Sequence, residues 1–352
     1  IVANGHEVIR NLLNKTIEVA EETHTPLICI QKPKGGSKED ATDRLRFAKK
    51  NNAEVYAALQ ADCSVAGGTA WLWSDAAAFE CLDVLFVDEA AQMSLANVLA
   101  VSQAAKTVIL LGDPQQLDQP MQGSHPDGTG CSALDHLLSG KQTIGPEEGL
   151  FLDVTWRLHP DICAFTSELF YEGKLTSKEE TAGQLIKASG IANGTGLRFV
   201  PVEHKGNQNC SPEEADVIAK LVSEILDQGA TWIDRNGNER PIEIADILII
   251  APYNAQVFEI QRRLPQARVG TVDKFQGQEA PISIYSLASS SHADAPRGME
   301  FLYSLNRLNV ATSRAKCVSI LVGSPQVFEA ECRTPRQMQL ANAFCRYLER
   351  AQ

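Results

Sequence analysis

Apolar residues along this chain gather into short unbroken runs, and polar residues follow each run at once. Val84-Leu85-Phe86-Val87 leads into Asp88-Glu89-Ala90-Ala91-Gln92, and Thr107-Val108-Ile109-Leu110-Leu111 into Gly112-Asp113-Pro114-Gln115-Gln116-Leu117. Further on, Ile247-Leu248-Ile249-Ile250 leads into Ala251-Pro252-Tyr253-Asn254-Ala255-Gln256. Runs of this length without alternation suit strands of a parallel sheet buried on both faces. Residues 27–30, 197–200, 282–287 and 318–322 are further strand candidates. Open α/β sheets place their ligands beyond the carboxyl ends of such strands, so the polar residues there are the first candidates for chemistry. Asp88 and Glu89 are two adjacent carboxylates in that position. Taken alone they fit a solvated turn as well as they fit nucleotide chemistry.

Helical patterns separate the runs. The chain opens on what reads as the end of a strand, then a polar loop, then a helix with Val8, Ile9, Leu12 and Leu13 on one face. Ser211-Pro212-Glu213-Glu214 joins three helix-start signals: Ser as N-cap, Pro at the first position and Glu at the third. Val217, Ile218, Leu221, Val222 and Ile225 give that helix an apolar face. Asn236-Gly237 marks a tight hairpin. Residues 32–50, rich in Lys, Gly and Asp, read as an exposed connection. Residues 63–73 read as a small-residue strand, a Gly-Thr loop and two tryptophans, in isolation an ordinary tight turn over a Trp-filled core. The loop-rich stretch 123–149 looks like a seam. Strands alternating with helices on both sides of it predict an α/β protein with two parallel sheets in series, over 1–149 and 150–352.

Composition narrows the class. A chain of 352 residues is long enough for two domains with separate cores. Its 44% apolar and 22% charged residues are those of a soluble globular protein. No apolar run approaches the roughly 18 to 20 residues that span a bilayer, so no membrane segment is expected, and the first residues lack a signal-peptide pattern. Nine cysteines without a C-x-x-C pair argue against a disulfide framework or a zinc site, and for reduced thiols in an intracellular setting, cytoplasmic or nuclear. The net charge of -12 weighs against a protein that coats nucleic acid by charge alone. A narrow groove with local basic and polar contacts remains compatible with it.

Taken in order, the strand-end strings resemble the motifs of superfamily 1 helicases, in the branch of the nonsense-mediated-decay helicase and the nuclease-helicases. The matching strings are VDEAAQ (87–92), GDPQQL (112–117), WRLHP (156–160), APYNAQ (251–256), TVDKFQGQE (271–279) and NRLNVATSRAK (306–316). ANGH (3–6) and GGTAW (67–71) are similar to the two early nucleic-acid motifs of that family. The resemblance implies two tandem RecA-like domains, ATP and Mg²⁺ as cofactors, and movement on single-stranded DNA or RNA, 5′ to 3′. It allows a fused or associated nuclease domain upstream.

The resemblance also assigns roles. Asp88 would hold the Mg²⁺ shell, and Glu89 would take a proton from the attacking water. Gln116, an amide that donates and accepts, suits a sensor between water, γ-phosphate and strand. Arg157 and Arg314 would supply the phosphate-facing cations, which cannot deprotonate and fork onto phosphate oxygens; the bland alternative is a pair of surface salt bridges. Trp156 would stack on adenine or be a core residue. Glu279 matches a Glu that bonds the ribose. For nucleic acid the resemblance points to Asn4, Thr69, Trp71, Pro252, Tyr253, Thr271 and Lys274, contacts that grip the backbone without reading bases. Tyr253 and Trp71 fit a core equally well.

One family part is missing. No G-x-x-x-x-G-K-[S/T] string occurs; Gly35-Gly36-Ser37-Lys38 has the wrong spacing, and Ser139-Gly140-Lys141-Gln142 lacks the upstream Gly and the hydroxyl. The expectation is a fragment that starts downstream of its phosphate loop, with the first domain lacking the matching strand and helix. Such a chain should leave apolar sheet surface exposed and show no ATPase by itself. Smaller departures are Gly5 where Ser is usual, and Ala311-Thr312-Ser313 where Ala-Leu-Thr is usual. The competing reading is a non-catalytic nucleic-acid-binding or scaffold module that keeps the helicase fold.

Overall fold

The structure, a computed structural model, describes residues 1–35, 41–117, 119, 126, 130–275 and 277–351. Gly36, Ser37 and Lys38, Gln276 of the 271–279 string, and residues 123–125 and 127–129 of the seam lie outside the described residues. The chain divides into two compact units, Ile1–Pro114 with Asp118–Lys141, and Gln115–Leu117 with Gln142–Gln352. The division comes before 149 because Gln142 and Thr143 already bond within the second unit. Gln142 donates to the Leu169 carbonyl at 3.4 Å, and Thr143 donates to Glu172 at 2.6 Å.

The first unit is an α/β fold of short parallel strands. Its elements are α1 (His6–Glu22), β1 (Cys29–Gln31), β2 (Leu45–Phe47), α2 (Ala53–Ala61), β3 (Val65–Gly67), α3 (Ala70–Trp73), β4 (Leu82–Val87), α4 (Leu95–Ser102), β5 (Ala105–Leu110) and α5 (Ala133–Leu138). The strands form two parallel groups, β2-β1-β3 and β4-β5. Val2 bridges them, pairing in parallel with Gly68 and with Val87. Its N–H donates to the Phe86 carbonyl at 2.8 Å, and the Asp88 N–H donates back to it at 2.8 Å. The opening residues thus pair with both groups through Val2, and the expected helix follows, whose Ile9 and Leu13 are fully buried.

Two expectations need correction here. Residues 32–50 are not one exposed connection, because Leu45–Phe47 pairs with Cys29–Gln31 and buries Leu45 to 4% exposure. Nor are β4 and β5 buried on both faces. Leu85 and Val87 are fully buried, but Val84 and Phe86 alternate with them and face solvent, and Ile109 faces solvent between the half-buried Val108 and Leu110, as does Leu111. The apolar run reads as a two-sided strand, yet its burial has the period of two of a half-covered sheet. Apolar sheet surface is exposed, as anticipated.

The second unit holds β6 (Val154–Thr155), α6 (Pro160–Phe170), β7 (Thr176–Ser177), β8 (Leu185–Lys187), β9 (Gly196–Pro201), α7 (Pro212–Asp227), β10 (Thr231–Ile233), β11 (Glu239–Pro241), β12 (Ile247–Ala251), α8 (Asn254–Arg263), β13 (Arg268–Thr271), β14 (Ala280–Ser286), α9 (Met299–Leu302), α10 (Leu305–Ser313), β15 (Ala315–Gly323) and α11 (Pro335–Arg350). Its main sheet is parallel throughout, in the order β13-β12-β14-β15-β9. Ile247, Ile249, Ile282 and Ile284 point into one core with Ile218, Val222 and Ile260 of α7 and α8. Leu248, Ile250 and Tyr285 point into another with Ile162 and Phe165 of α6, Leu308 of α10 and Phe344 of α11. Both faces of this sheet are covered.

Local signals act as the sequence suggested. The Ser211 hydroxyl accepts from the Glu214 N–H at 3.1 Å and caps α7. The Asn236-Gly237 turn joins β10 to β11, with Gly237 at φ 81°. Among the described residues no helix is long and apolar enough to cross a membrane.

Candidate functional site

In the first unit, Asp88 and Glu89 follow β4 directly. Asp88 Oδ1 accepts the Glu89 N–H at 3.0 Å. Glu89 holds φ 53°, a left-handed conformation that few residues with a side chain adopt. The next amide, of Ala90, donates to the Leu111 carbonyl at 2.8 Å and so ties the two strand-end loops together. Gly112 must be glycine there, since a Cβ would lie 2.9 Å from the Ala90 nitrogen. Burial raises the Asp88 carboxyl above the usual carboxylate range, partly offset by the Glu89 N–H. A divalent cation at that carboxylate would offset the same burial, and a carboxylate is the hard oxygen donor that Mg²⁺ takes.

Other named residues of this unit differ in exposure. Asn4 Nδ2 donates to the Gln92 carbonyl at 3.0 Å, which fixes the loop after the acids. Thr69 is the N-cap of α3 without a side-chain bond to it. The two tryptophans that follow divide: Trp73 is wholly buried and donates to the Ile1 carbonyl at 3.0 Å, while Trp71 is 85% exposed. Trp71 is therefore not a core residue.

In the second unit, a polar cluster gathers at the amino ends of β14 and β15, whose Ala280 and Ala315 pair in register. Arg314, 2% exposed at the end of α10, donates from Nη2 to Gln116 Oε1 at 3.1 Å. Asn309 donates to the Gln115 carbonyl at 2.8 Å, and Asn306 donates to the Gln116 carbonyl. These bonds place Gln115–Leu117 in this unit. Arg157 Nε donates to Glu279 at 2.5 Å, and its Nη1 to the Ser313 carbonyl at 3.3 Å. Lys316 pairs with the other Glu279 oxygen at 2.7 Å. Burial would raise the Glu279 pKa, but Lys316 and Arg157 outweigh it and hold the carboxyl below the usual range. The surface-salt-bridge alternative fails for Arg314, which is buried and bonded to an amide.

Trp156 adjoins this cluster and is 58% exposed, so the core alternative is overturned. Lys178 Nζ lies 4.7 Å and the Arg235 guanidinium 6.0 Å from its ring centre, and Arg235 also donates to the Trp156 carbonyl at 3.0 Å. An exposed flat indole ringed by cations suits a stacked base with attached phosphates.

The nucleic-acid candidates of this unit lie at the opposite edge. Pro252 and Tyr253 follow β12, and Thr271 ends β13 with Lys274 one turn beyond. Tyr253 is 8% exposed and packs on Phe301 at 5.2 Å between ring centres, so its ring is part of the packing. Lys274 Nζ donates to the Val269 carbonyl at 2.8 Å. Reading by motif passed over Lys316, Asn306 and Asn309. All three lie inside the 306–316 string, where for Asn306 and Asn309 an amide side chain amid helix-forming residues was the available signal. Lys316 carried none.

A protein-family model described as an AAA domain matches residues 131–326. The chain is 29% identical over 264 residues to the DNA polymerase alpha-associated DNA helicase A of Schizosaccharomyces pombe, covering 68% of this chain and 37% of that protein. It is 30% identical over 271 residues to the 5′-3′ DNA helicase ZGRF1 of Mus musculus, covering 71% of this chain and 13% of the relative. It is 30% identical over 247 residues to the DNA replication ATP-dependent helicase/nuclease DNA2 of Gallus gallus, covering 68% and 23%. The chain thus spans little more than a third of the first relative and less than a quarter of the other two. Among solved structures, the arterivirus nonstructural protein 10 helicase aligns over 92% of this chain and 52% of its own, at 14% identity and a TM-score of 0.45. With the AAA-domain match extending over more than half its length, the chain belongs to that family, among the superfamily 1 helicases.

Proposed function

We propose that this chain carries the motor of an ATP-dependent helicase or translocase that moves 5′ to 3′ along single-stranded nucleic acid inside the cell. The observation that supports this most is the Arg314–Gln116 pair: a buried guanidinium holds a neutral amide at a strand edge that also gathers Arg157, Glu279 and Trp156. Such a set aligns and neutralises a γ-phosphate, which is most of what phosphoryl transfer requires of a protein.

In this reading Asp88 holds Mg²⁺, Glu89 takes the water proton, and Gln116 positions that water. Arg157 and Arg314 face the phosphates and Trp156 stacks on adenine. Glu279 is bonded to Arg157 and Lys316, so Arg157 must exchange that partner for phosphate, leaving a carboxylate oxygen for the ribose. Asn4, Thr69, Trp71, Pro252, Tyr253, Thr271 and Lys274 face the strand. Residues 1–352 contain no phosphate-loop string, so alone they turn over ATP at background rate.

The test is strand-stimulated ATP hydrolysis by the whole protein that contains this chain. Glu89→Gln should lower kcat by about 10² to 10⁴, and Arg314→Ala by about 10³ or more. Unchanged rates in both variants would replace the motor with a non-catalytic module. Robust turnover by residues 1–352 alone would sink the claim of inactivity.

A further inference from the structure

Arg307 belongs to the 306–316 string, yet the proposed motor gives it no part. Its guanidinium carbon lies 3.9 Å from the centre of the Phe301 ring, and that of Arg297 lies 4.0 Å from the same centre. Tyr253 packs on this ring as well. Among the described residues neither arginine has a carboxylate partner. The Arg307 Nη1 and the Tyr285 hydroxyl are both buried without a hydrogen-bond partner among those residues. Tyr285 itself is 2% exposed. Burial pushes its phenol up, and Arg307 lies close enough to pull it back. Leaving a buried donor unmatched costs about 1–3 kcal/mol, so the Arg307 guanidinium and the Tyr285 hydroxyl beside it ask for an acceptor.

The site has a place in the fold. It lies beyond the carboxyl ends of β12 and β14, the edge that carries Pro252 and Tyr253. In a chain of net charge -12, two arginines without acids on one aromatic ring form a local positive spot. Stacking keeps each guanidinium flat, and the exposed Arg297 leaves its edge donors available for an acceptor.

We infer that Arg297 and Arg307, held on Phe301, bind the phosphodiester backbone of a single strand passing Pro252 and Tyr253. This rests on the proposed nucleic-acid reading and extends it to two residues outside the motif assignments. The contact reads charge and the spacing of oxygens, not bases, as translocation requires.

The experiment is equilibrium binding of oligothymidylate and oligouridylate to the protein over a salt series. Arg297→Gln and Arg307→Gln should each weaken binding about five-fold near 0.1 M salt and lower the slope of log K against log salt by about 0.7. Lys274→Gln reports the strand path independently. Unchanged affinity and slope in Arg297→Gln, with binding weakened in Lys274→Gln, overturns this site and leaves the function standing. A parent protein that binds neither oligonucleotide overturns both. Arg297 is exposed, so its variant decides the matter even where Arg307→Gln fails to fold. Arg307→Lys should keep the salt slope and lose part of the affinity, which a packing role alone would not produce.

Discussion

In the second unit every residue of β12 and β14 is buried, whereas in the first unit Val84 and Phe86 of β4 and Ile109 of β5 keep 37–40% of their surface exposed. The sequences of β4, β5 and β12 are alike: four apolar residues or more, then a polar loop. Their surroundings differ. Helices α7 and α8 cover one face of the second sheet, and α6, α10 and α11 cover the other. An apolar run therefore reports what a strand can bury, and the helices around it decide what is buried. The contrast extends to the strand-end acids. Asp88 in the first unit is pushed up by burial, while Glu279 in the second is held down by Lys316 and Arg157.

The largest test of this contrast is paired truncation. Ile284→Ala removes a fully buried side chain and should destabilise the second unit by about 2–5 kcal/mol. Val84→Ala should cost the first unit about 0.5 kcal/mol or less. Hydrogen exchange reads each unit separately, so unfolding of one does not mask the other. Equal losses would mean that the face of β4 is covered in solution.

A smaller effect sharpens the electrostatic half. The folded pKa of Glu279 is depressed, so its ion pairs contribute stability that is complete above its ordinary value of 4.5 and is lost as pH falls through the lower folded value. The side chain is 39% exposed, so screening limits the contribution to about 1 kcal/mol or less. Glu279→Gln should flatten acid unfolding of the second unit below that pH. An unaltered acid limb would show that Arg157 and Lys316 do not hold this carboxyl in solution.

The smallest stability change, within about 0.5 kcal/mol, is expected of Phe86→Thr, because the ring is already partly in water. Its readout is dye binding and solubility: the variant should bind less of a hydrophobic dye. No change in dye binding would place the exposed apolar surface elsewhere.

Much of the second unit was legible because several levels agreed. Ser211-Pro212-Glu213-Glu214 starts α7 where capping chemistry places it, and the three long apolar runs are the three central strands. The first unit was less so. Its strands β1, β2 and β3 are three residues each, too short for a pattern, and β2 hides in a charged stretch. The motifs located Gln116, Arg157 and Arg314, but not what holds them, since Lys316 and Asn309 act through contacts across long sequence separations. Trp71 and Trp73 could not be told apart by residue type. Position along a four-residue helix sends one into the core and the other into solvent.

The five-stranded sheet has its arginine cluster at one end of the strands and Pro252, Tyr253 and the Phe301 site at the other. Strand β14 runs seven residues between them, about 23 Å at ~3.3 Å per residue. It is hydrogen-bonded on both sides and packed on both faces, so it offers no slack to absorb a local displacement. The sheet is in this sense a stiff plate. A displacement imposed at the end that carries Arg157 and Arg314 would reach the far end undamped, with the strand length as its lever arm.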